Sequence, residues 1–347
     1  MIYNNLSTTN TKVSAICLGT MSFGAHVDES TAYNIMSRSL ELGINFFDTA
    51  EMYAVPPMPE TSGITETIIG RWMKAENARE KIVLATKVVG GGRGFSWIRG
   101  GESRLDEKNI RMAIEGSLKR LQTDFIDLYQ LHWPDRSVQM FHQQYFQSGI
   151  GKESVALEET LSVLQKLHQE GKVKHFGVSN ETPWGTMEFL RIAQEKDLPR
   201  MVSIQNNYSL LTRTYDMGMS EVSQEMNIGL LAYSPLGFGV LGGRYLDGNF
   251  PEGGRFTKYK NYLPRYRTPR VEIAIKRYKA LAEKHGMTLP ELALAFVYQR
   301  PFVTSAIIGP SNVEQLEECV GALEKKLTEE MMREIDEIDA MDPNPCA

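Results

Sequence analysis

The sequence predicts an α/β chain, a (β/α)8 barrel of the TIM type with an N-terminal β-hairpin and long βα loops at the C-terminal face of its strands. Three observations carry this. Eight short apolar runs, rich in β-branched and aromatic residues, alternate with segments of helical period along 347 residues. Short strands separated by helices specify parallel pairing, and eight such units with right-handed crossovers can close on themselves. The connections over residues 88–105, 133–154 and 234–270 are long and each follows a strand, so they crowd one end. A doubly wound sheet would also alternate; the count of eight leans to the barrel, and residues 1–347 read as a single domain of that kind.

The elements follow in order. A hairpin opens the chain, residues 1–3 against 12–14. Strands are expected over 15–18, 45–48, 82–86, 125–131, 173–178, 202–205, 229–233 and 305–308, and helices over 29–42, 64–74, 106–121, 157–169, 184–195, 216–226 and 289–299. Gly43, Gly171, Gly229 and Gly286 stand where helices should stop, Pro183 and Pro290 where they should start. Gly237-Phe238-Gly239-Val240-Leu241-Gly242 matches G-x-G-x-x-G, but Pro235 precedes it and a basic, proline-containing loop follows. A dinucleotide-binding turn of the Rossmann type needs a helix there to present its N-terminus to the pyrophosphate, so that reading fails. Gly90 to Gly94 lacks the Lys and Ser/Thr of a P-loop and reads as a mobile stretch.

Composition narrows the function. Apolar content of 42% and charged content of 23% are those of a soluble globular protein. The net charge of −5 argues against a general nucleic-acid binder. Residues 244–270 nevertheless hold Arg244, Arg255, Lys258, Lys260, Arg265, Arg267 and Arg270 against Asp247 and Glu252, an island suited to a bound anion or to a solvated loop. Cys17, Cys319 and Cys346 follow no metal-ligand spacing and fit a reducing compartment. No signal peptide or membrane span is visible, no metal site is expected, and the chain reads as cytoplasmic.

The chemistry collects at strand ends. Asp48 closes the second barrel strand, Tyr53 follows it, Lys87 ends the third and His132 the fourth. An ammonium beside a phenol favours the phenolate, a carboxylate keeps that ammonium charged, and an imidazole can hold a carbonyl oxygen. The set suits proton donation to a carbonyl while a hydride arrives at its carbon. Ser179-Asn180, Gln205 and Tyr233-Ser234 end the next three strands, and amides with an aromatic face suit a nicotinamide ring. The aromatic residues Trp97, Trp133, Phe141, Tyr145 and Phe146 are expected to wall the substrate.

Several of these segments resemble the aldo-keto reductase superfamily, nearest to its bacterial Tas-like branch: Leu18 to Gly24, Ala50 to Pro57, Ser117 to Leu121, Gly177 to Glu181 and Leu230 to Ser234. The resemblance implies NADP(H) bound in an extended pose and reduction of a small-molecule aldehyde or ketone. It places Asp48, Tyr53, Lys87 and His132 on the catalytic tetrad. It places Thr20 and Met21 at the cofactor, Ser179, Asn180 and Gln205 on the carboxamide, Tyr233 on the ring face, and Ser234, Pro235, Leu236, Gly237 and Phe238 on the pyrophosphate. Arg244, Arg255, Gly309, Ser311, Gln315, Glu318 and Cys319 match the adenosine end, Cys319 standing where many relatives have Asn. Two other readings stay open: a barrel lyase with a Lys87 Schiff base, and a non-enzymatic, cofactor-binding redox sensor or regulatory subunit. Oligomeric state is not readable from the sequence.

Overall fold

The computed structural model describes residues 1–140 and 154–346. Strands β1 (Tyr3–Asn5) and β2 (Lys12–Ser14) pair antiparallel, the first arm lying nearer the turn than residues 1–3. Eight parallel strands follow: β3 (Ile16–Gly19), β4 (Phe46–Asp48), β5 (Val83–Val88), β6 (Ile126–Leu131), β7 (Val173–Ser179), β8 (Met201–Asn207), β9 (Gly229–Tyr233) and β10 (Val303–Ile308). Each bonds to the next and β10 bonds back to β3, which closes the barrel. The chain thus forms the (β/α)8 barrel and hairpin that its sequence predicts.

Helices α1 (Glu29–Glu41), α2 (Ile64–Ala75), α3 (Glu107–Leu121), α4 (Leu157–Gln169), α5 (Pro183–Lys196) and α6 (Met219–Glu225) cover the outside. After β9 come α7 (Arg255–Lys258), α8 (Pro269–Lys284) and α9 (Leu289–Tyr298), and after β10 come α10 (Val313–Gly321) and α11 (Glu329–Met341). Side-chain caps fix many of the starts: Asp28, Asp106, Thr182, Thr268, Thr288, Asn312 and Thr328 each accept from a backbone N–H of the first turn. Gly43, Gly171 and Gly286 follow helices with positive φ, as expected. Gly229 does not: Asn227, at φ 45°, makes that turn, and Gly229 opens β9, where an added Cβ would lie 1.7 Å from Thr304 Oγ1.

The strands sort their side chains by period two. Cys17, Phe46, Ala85, Leu128, Val202, Leu231 and Ile307 fill the barrel interior, and Leu6 and Val13 of the hairpin join that cluster. Phe47, Leu84, Tyr129 and Ile204 face outward into the larger core under the helices; Val202 and Ile204 fall on opposite faces because the β7–β8 register shifts between Met201 and Ser203. In three adjacent strands the inward face becomes polar two residues beyond the interior apolar position: Asp48 after Phe46, Lys87 after Ala85, Gln130 after Leu128. That layer lies toward the strands' C-terminal ends. Among the described residues no helix is long and apolar enough to cross a membrane.

Candidate active site

Register brings the polar layer together. Asp48 pairs with Ala85 and Lys87 with Gln130, so carboxylate and ammonium come from adjacent strands on one face. Lys87 Nζ donates to Asp48 Oδ2 at 2.6 Å, to the Thr49 carbonyl at 2.8 Å and to Tyr53 Oη at 3.4 Å. Its side chain is 0% exposed. Burial opposes the charge, but Asp48 and then Tyr53 outweigh it, and Lys87 is held above the ordinary lysine range. It is therefore an ammonium at neutral pH. Asp48 is itself fixed, its Oδ1 accepting from Gln130 Nε2 at 3.0 Å and Gln205 Nε2 at 2.8 Å.

Tyr53 shows a balance the sequence reading did not contain. Burial raises its phenol above the ordinary tyrosine range; Lys87 pulls it down and Asp48 pushes it up, and the rise prevails. The expected ammonium effect is present but does not win, and the phenol keeps its proton. His132 packs edge-on to Tyr53, with ring centroids 5.7 Å apart. Burial first, then Lys87 and Arg93, depress the imidazole well below its ordinary value, so the ring is neutral. Its Nδ1 is buried with no hydrogen-bond partner among the described residues.

Tyr53, Asp48 and His132 line a cleft of about 800 Å³ at the barrel mouth, whereas Lys87 sits beneath it. Thr20, Met21, Ser179, Asn180, Gln205, Tyr233, Ser234, Pro235, Leu236, Phe238, Arg244, Arg255, Gly309, Ser311, Gln315, Glu318 and Cys319 also line it. Gly237 does not: it is buried and its N–H donates to the Ser234 carbonyl at 2.8 Å. The polar residues at the mouth bind one another. Gln205 Nε2 serves both Asp48 and Gln130 Oε1, the latter at 3.0 Å, so only its carbonyl oxygen is left for a ligand. Asn180, at φ 53°, donates to the His132 carbonyl at 2.9 Å and accepts from Tyr233 Oη at 2.8 Å.

The far end is basic. Arg255 joins no ion pair among the described residues, and burial lowers its guanidinium against the ordinary arginine value. Arg265 has Nε and Nη1 buried with no hydrogen-bond partner among the described residues, the kind of donor that an anion would satisfy. Gly239 and Gly242 line the cleft with nothing among the described residues within 4 Å of an added Cβ, which leaves their backbone open to close approach. Cys319 stays a thiol, pushed up to about 12 by burial.

The walls differ in part from expectation. Phe95 and Trp133 line the cleft, while Trp97 packs behind Phe95 at 5.2 Å between centroids. Phe141, Tyr145 and Phe146 lie outside the described residues. Gln130 was not anticipated, although its inward register beside Lys87 is the signal that finds it. Arg265 was visible only as one charge of the basic island, and Arg93 and Tyr262 only as loop residues.

Comparison with known proteins shows the family. The sequence profile described as "Aldo/keto reductase family" matches residues 15–340. The chain is 42% identical to "Protein tas" of Escherichia coli strain K12 over 338 residues, 97% of each chain. It is 36% identical to "Uncharacterized oxidoreductase YrpG" of Bacillus subtilis, over 97% of this chain and 96% of that one. It is 40% identical to an "Aldo-keto reductase" of Babesia bovis, over 74% of this chain and 95% of that one.

Proposed function

The chain belongs to the aldo/keto reductase family of oxidoreductases, and on that premise we propose that it reduces aldehyde or ketone carbonyls to alcohols, with NADPH as hydride source and Tyr53 as proton donor. One observation carries the reading: a protonated phenol and a neutral imidazole share one wall of a cleft, with a charged lysine directly beneath the phenol, and the cleft's far end is lined with guanidinium groups.

NADPH, when bound, supplies the hydride to the carbonyl carbon. Tyr53 gives its proton to the carbonyl oxygen, and the Lys87 ammonium, 3.4 Å away, steadies the phenolate left behind. Asp48 and the Thr49 carbonyl keep Lys87 charged and aimed. His132, being neutral, can donate one hydrogen bond to the same oxygen without adding a charge. The carbonyl oxygen of Gln205 and the side chain of Asn180 receive a carboxamide, and the Tyr233 ring offers it a face. Arg244, Arg255 and Arg265 suit the phosphates, and Ser311 and Gln315 open α10 beside them. The charged state of Lys87 counts against a Schiff-base lyase, which needs a free amine.

A panel of aldehydes and ketones assayed for NADPH consumption tests the activity; no turnover across the panel would refute it. Arg255→Ala is expected to weaken NADPH binding by about tenfold, and NADH binding far less. Equal losses would remove Arg255 from the 2′-phosphate.

A further inference from the structure

Beneath the cleft, two glutamines meet across a strand that belongs to neither. Gln130 sits on β6 and Gln205 on β8, with β7 between them. Gly177 of β7 stands in register with Gln130 on one side and with Ser203 on the other. A Cβ added at Gly177 would run into Ser203 Oγ and lie 3.4 Å from Gln130 Cγ. The glycine leaves a gap over β7, and through it Gln205 Nε2 donates to Gln130 Oε1 at 3.0 Å.

Charge fixes which way each amide faces. Asp48 Oδ1 belongs to the carboxylate that pairs with Lys87, and it can only accept. Gln130 and Gln205 both turn Nε2 to it, at 3.0 and 2.8 Å. The second hydrogen of Gln205 Nε2 goes to Gln130 Oε1, so that group has no donor left over. Two bonds from one –NH2 group define the plane of the amide, where a single bond would let it turn about its axis. The backbone is held as well: the Gln205 carbonyl accepts from Ser179 Oγ at 2.7 Å and from the Asn180 N–H at 3.0 Å. Gln205 lines the cleft, whereas Gln130 is wholly buried and does not.

We propose that Gln130 is a positioning residue for a bound nicotinamide: it fixes the plane of the Gln205 amide, so that Gln205 Oε1 meets the –NH2 end of the carboxamide and holds the ring in one orientation. The role rests on the reductase reading above and deepens it. Gln130 and Gln205 share Asp48 Oδ1, while Asp48 Oδ2 takes the Lys87 ammonium. One network thereby serves both the cofactor side and the Tyr53 side of the site.

The test is binding, read by tryptophan quenching in the whole protein, of NADPH against its reduced 3-acetylpyridine analogue, in which a methyl group replaces the carboxamide –NH2. The wild type is expected to bind NADPH about tenfold more tightly, since the analogue leaves Gln205 Oε1 unpaired. Gln130→Met keeps the length of the side chain but offers Gln205 no oxygen, and should cut that ratio to about threefold or less; Gln130→Leu should do the same. Gln130→Glu keeps an oxygen facing Gln205 Nε2, and burial beside Asp48 holds its carboxyl neutral, so the ratio should stay at about tenfold. A role confined to packing would instead move both affinities together. Equal binding of the two compounds by the wild type, a ratio unchanged in Gln130→Met, or one lost in Gln130→Glu overturns the proposal. If the protein binds NADPH with this pattern yet reduces no aldehyde or ketone, the reductase reading fails and the positioning role stands; if it binds neither compound, both fall.

Discussion

Lys87 is the residue on which the site turns. It is wholly buried, and its charge survives there only because Asp48 sits 2.6 Å away with Thr49 O as a further acceptor. Lys87→Met should lower kcat by about 10³-fold and, by leaving Asp48 buried without its counter-ion, cost about 3–5 kcal/mol of stability. Retention of kcat within a factor of ten would mean that the ammonium does not serve Tyr53. His132 yields a different expectation. Its imidazole is neutral well below its ordinary range, so kcat/KM should show no inflection near the usual histidine value of about 6.5. A clear inflection there, absent in His132→Gln, would show that the ring titrates. That Asp48, Tyr53, Lys87 and His132 meet at one end of the barrel was legible because polar groups at the ends of apolar runs have few structural uses. Gln130 was not, because a glutamine inside a strand pattern announces no role until register shows what stands beside it.

At the scale of elements, the loop carrying Tyr53 is tied to the loop carrying Arg93 by a buried ion pair. Arg99 Nη1 and Nη2 grip Glu51 at 2.6 and 3.0 Å, Arg99 Nε donates to Asn109 of α3 at 2.9 Å, and Glu51 Oε1 accepts from the Val89 N–H at 2.8 Å. Breaking such a pair from one side leaves an uncompensated charge, so Arg99→Met should cost about 3–5 kcal/mol and lower kcat more than it raises cofactor Kd. Unchanged denaturation midpoint and kcat would show the clamp to be idle. Gly70 sets how closely α2 approaches the end of α3, since an added Cβ would lie 2.4 Å from the Arg120 carbonyl oxygen. Gly70→Ala should therefore cost about 1–3 kcal/mol in chemical denaturation, and a neutral result would mean that the helices separate freely. Of the helices, α7, α8, α10 and α11 lie outside the ranges read from the sequence. The two longest of them, α8 and α11, fall outside the strand-helix alternation, and only their caps, Thr268 before Pro269 and Thr328, marked them. Gly229 misled because glycine serves a helix stop and a tight strand approach equally well, and only the contact with Thr304 separates the two.

For the whole molecule, the alternation of eight apolar runs with helical segments was sufficient to indicate closure, but register and the depth of Lys87 beneath the cleft are properties of the closed barrel alone. Stability should depend on pH through histidines that the fold keeps neutral. Burial lowers His132 and His175, and lowers His26 to about 4, with Arg255 and Lys258 adding to the effect on His26. The unfolded chain takes up protons below about 6.5 that the folded chain refuses, so stability is full above that pH and falls as the pH drops toward 4. The exposed carboxylates with depressed values, such as Glu170 at about 2, act only at lower pH. Tm at pH 5 should lie several degrees below Tm at pH 7.5; equal values would contradict the neutral histidines.

The central claim is that a phenol held at Lys87 delivers the proton in carbonyl reduction, and Tyr53→Phe tests it most directly, since the change removes one oxygen and leaves the ring. Rates of NADPH oxidation with an aldehyde the wild type reduces, measured beside NADPH binding by tryptophan quenching, should show activity down by about 10³-fold or more with Kd within about threefold. Wild-type turnover in the variant, with the cofactor bound as before, would contradict the account.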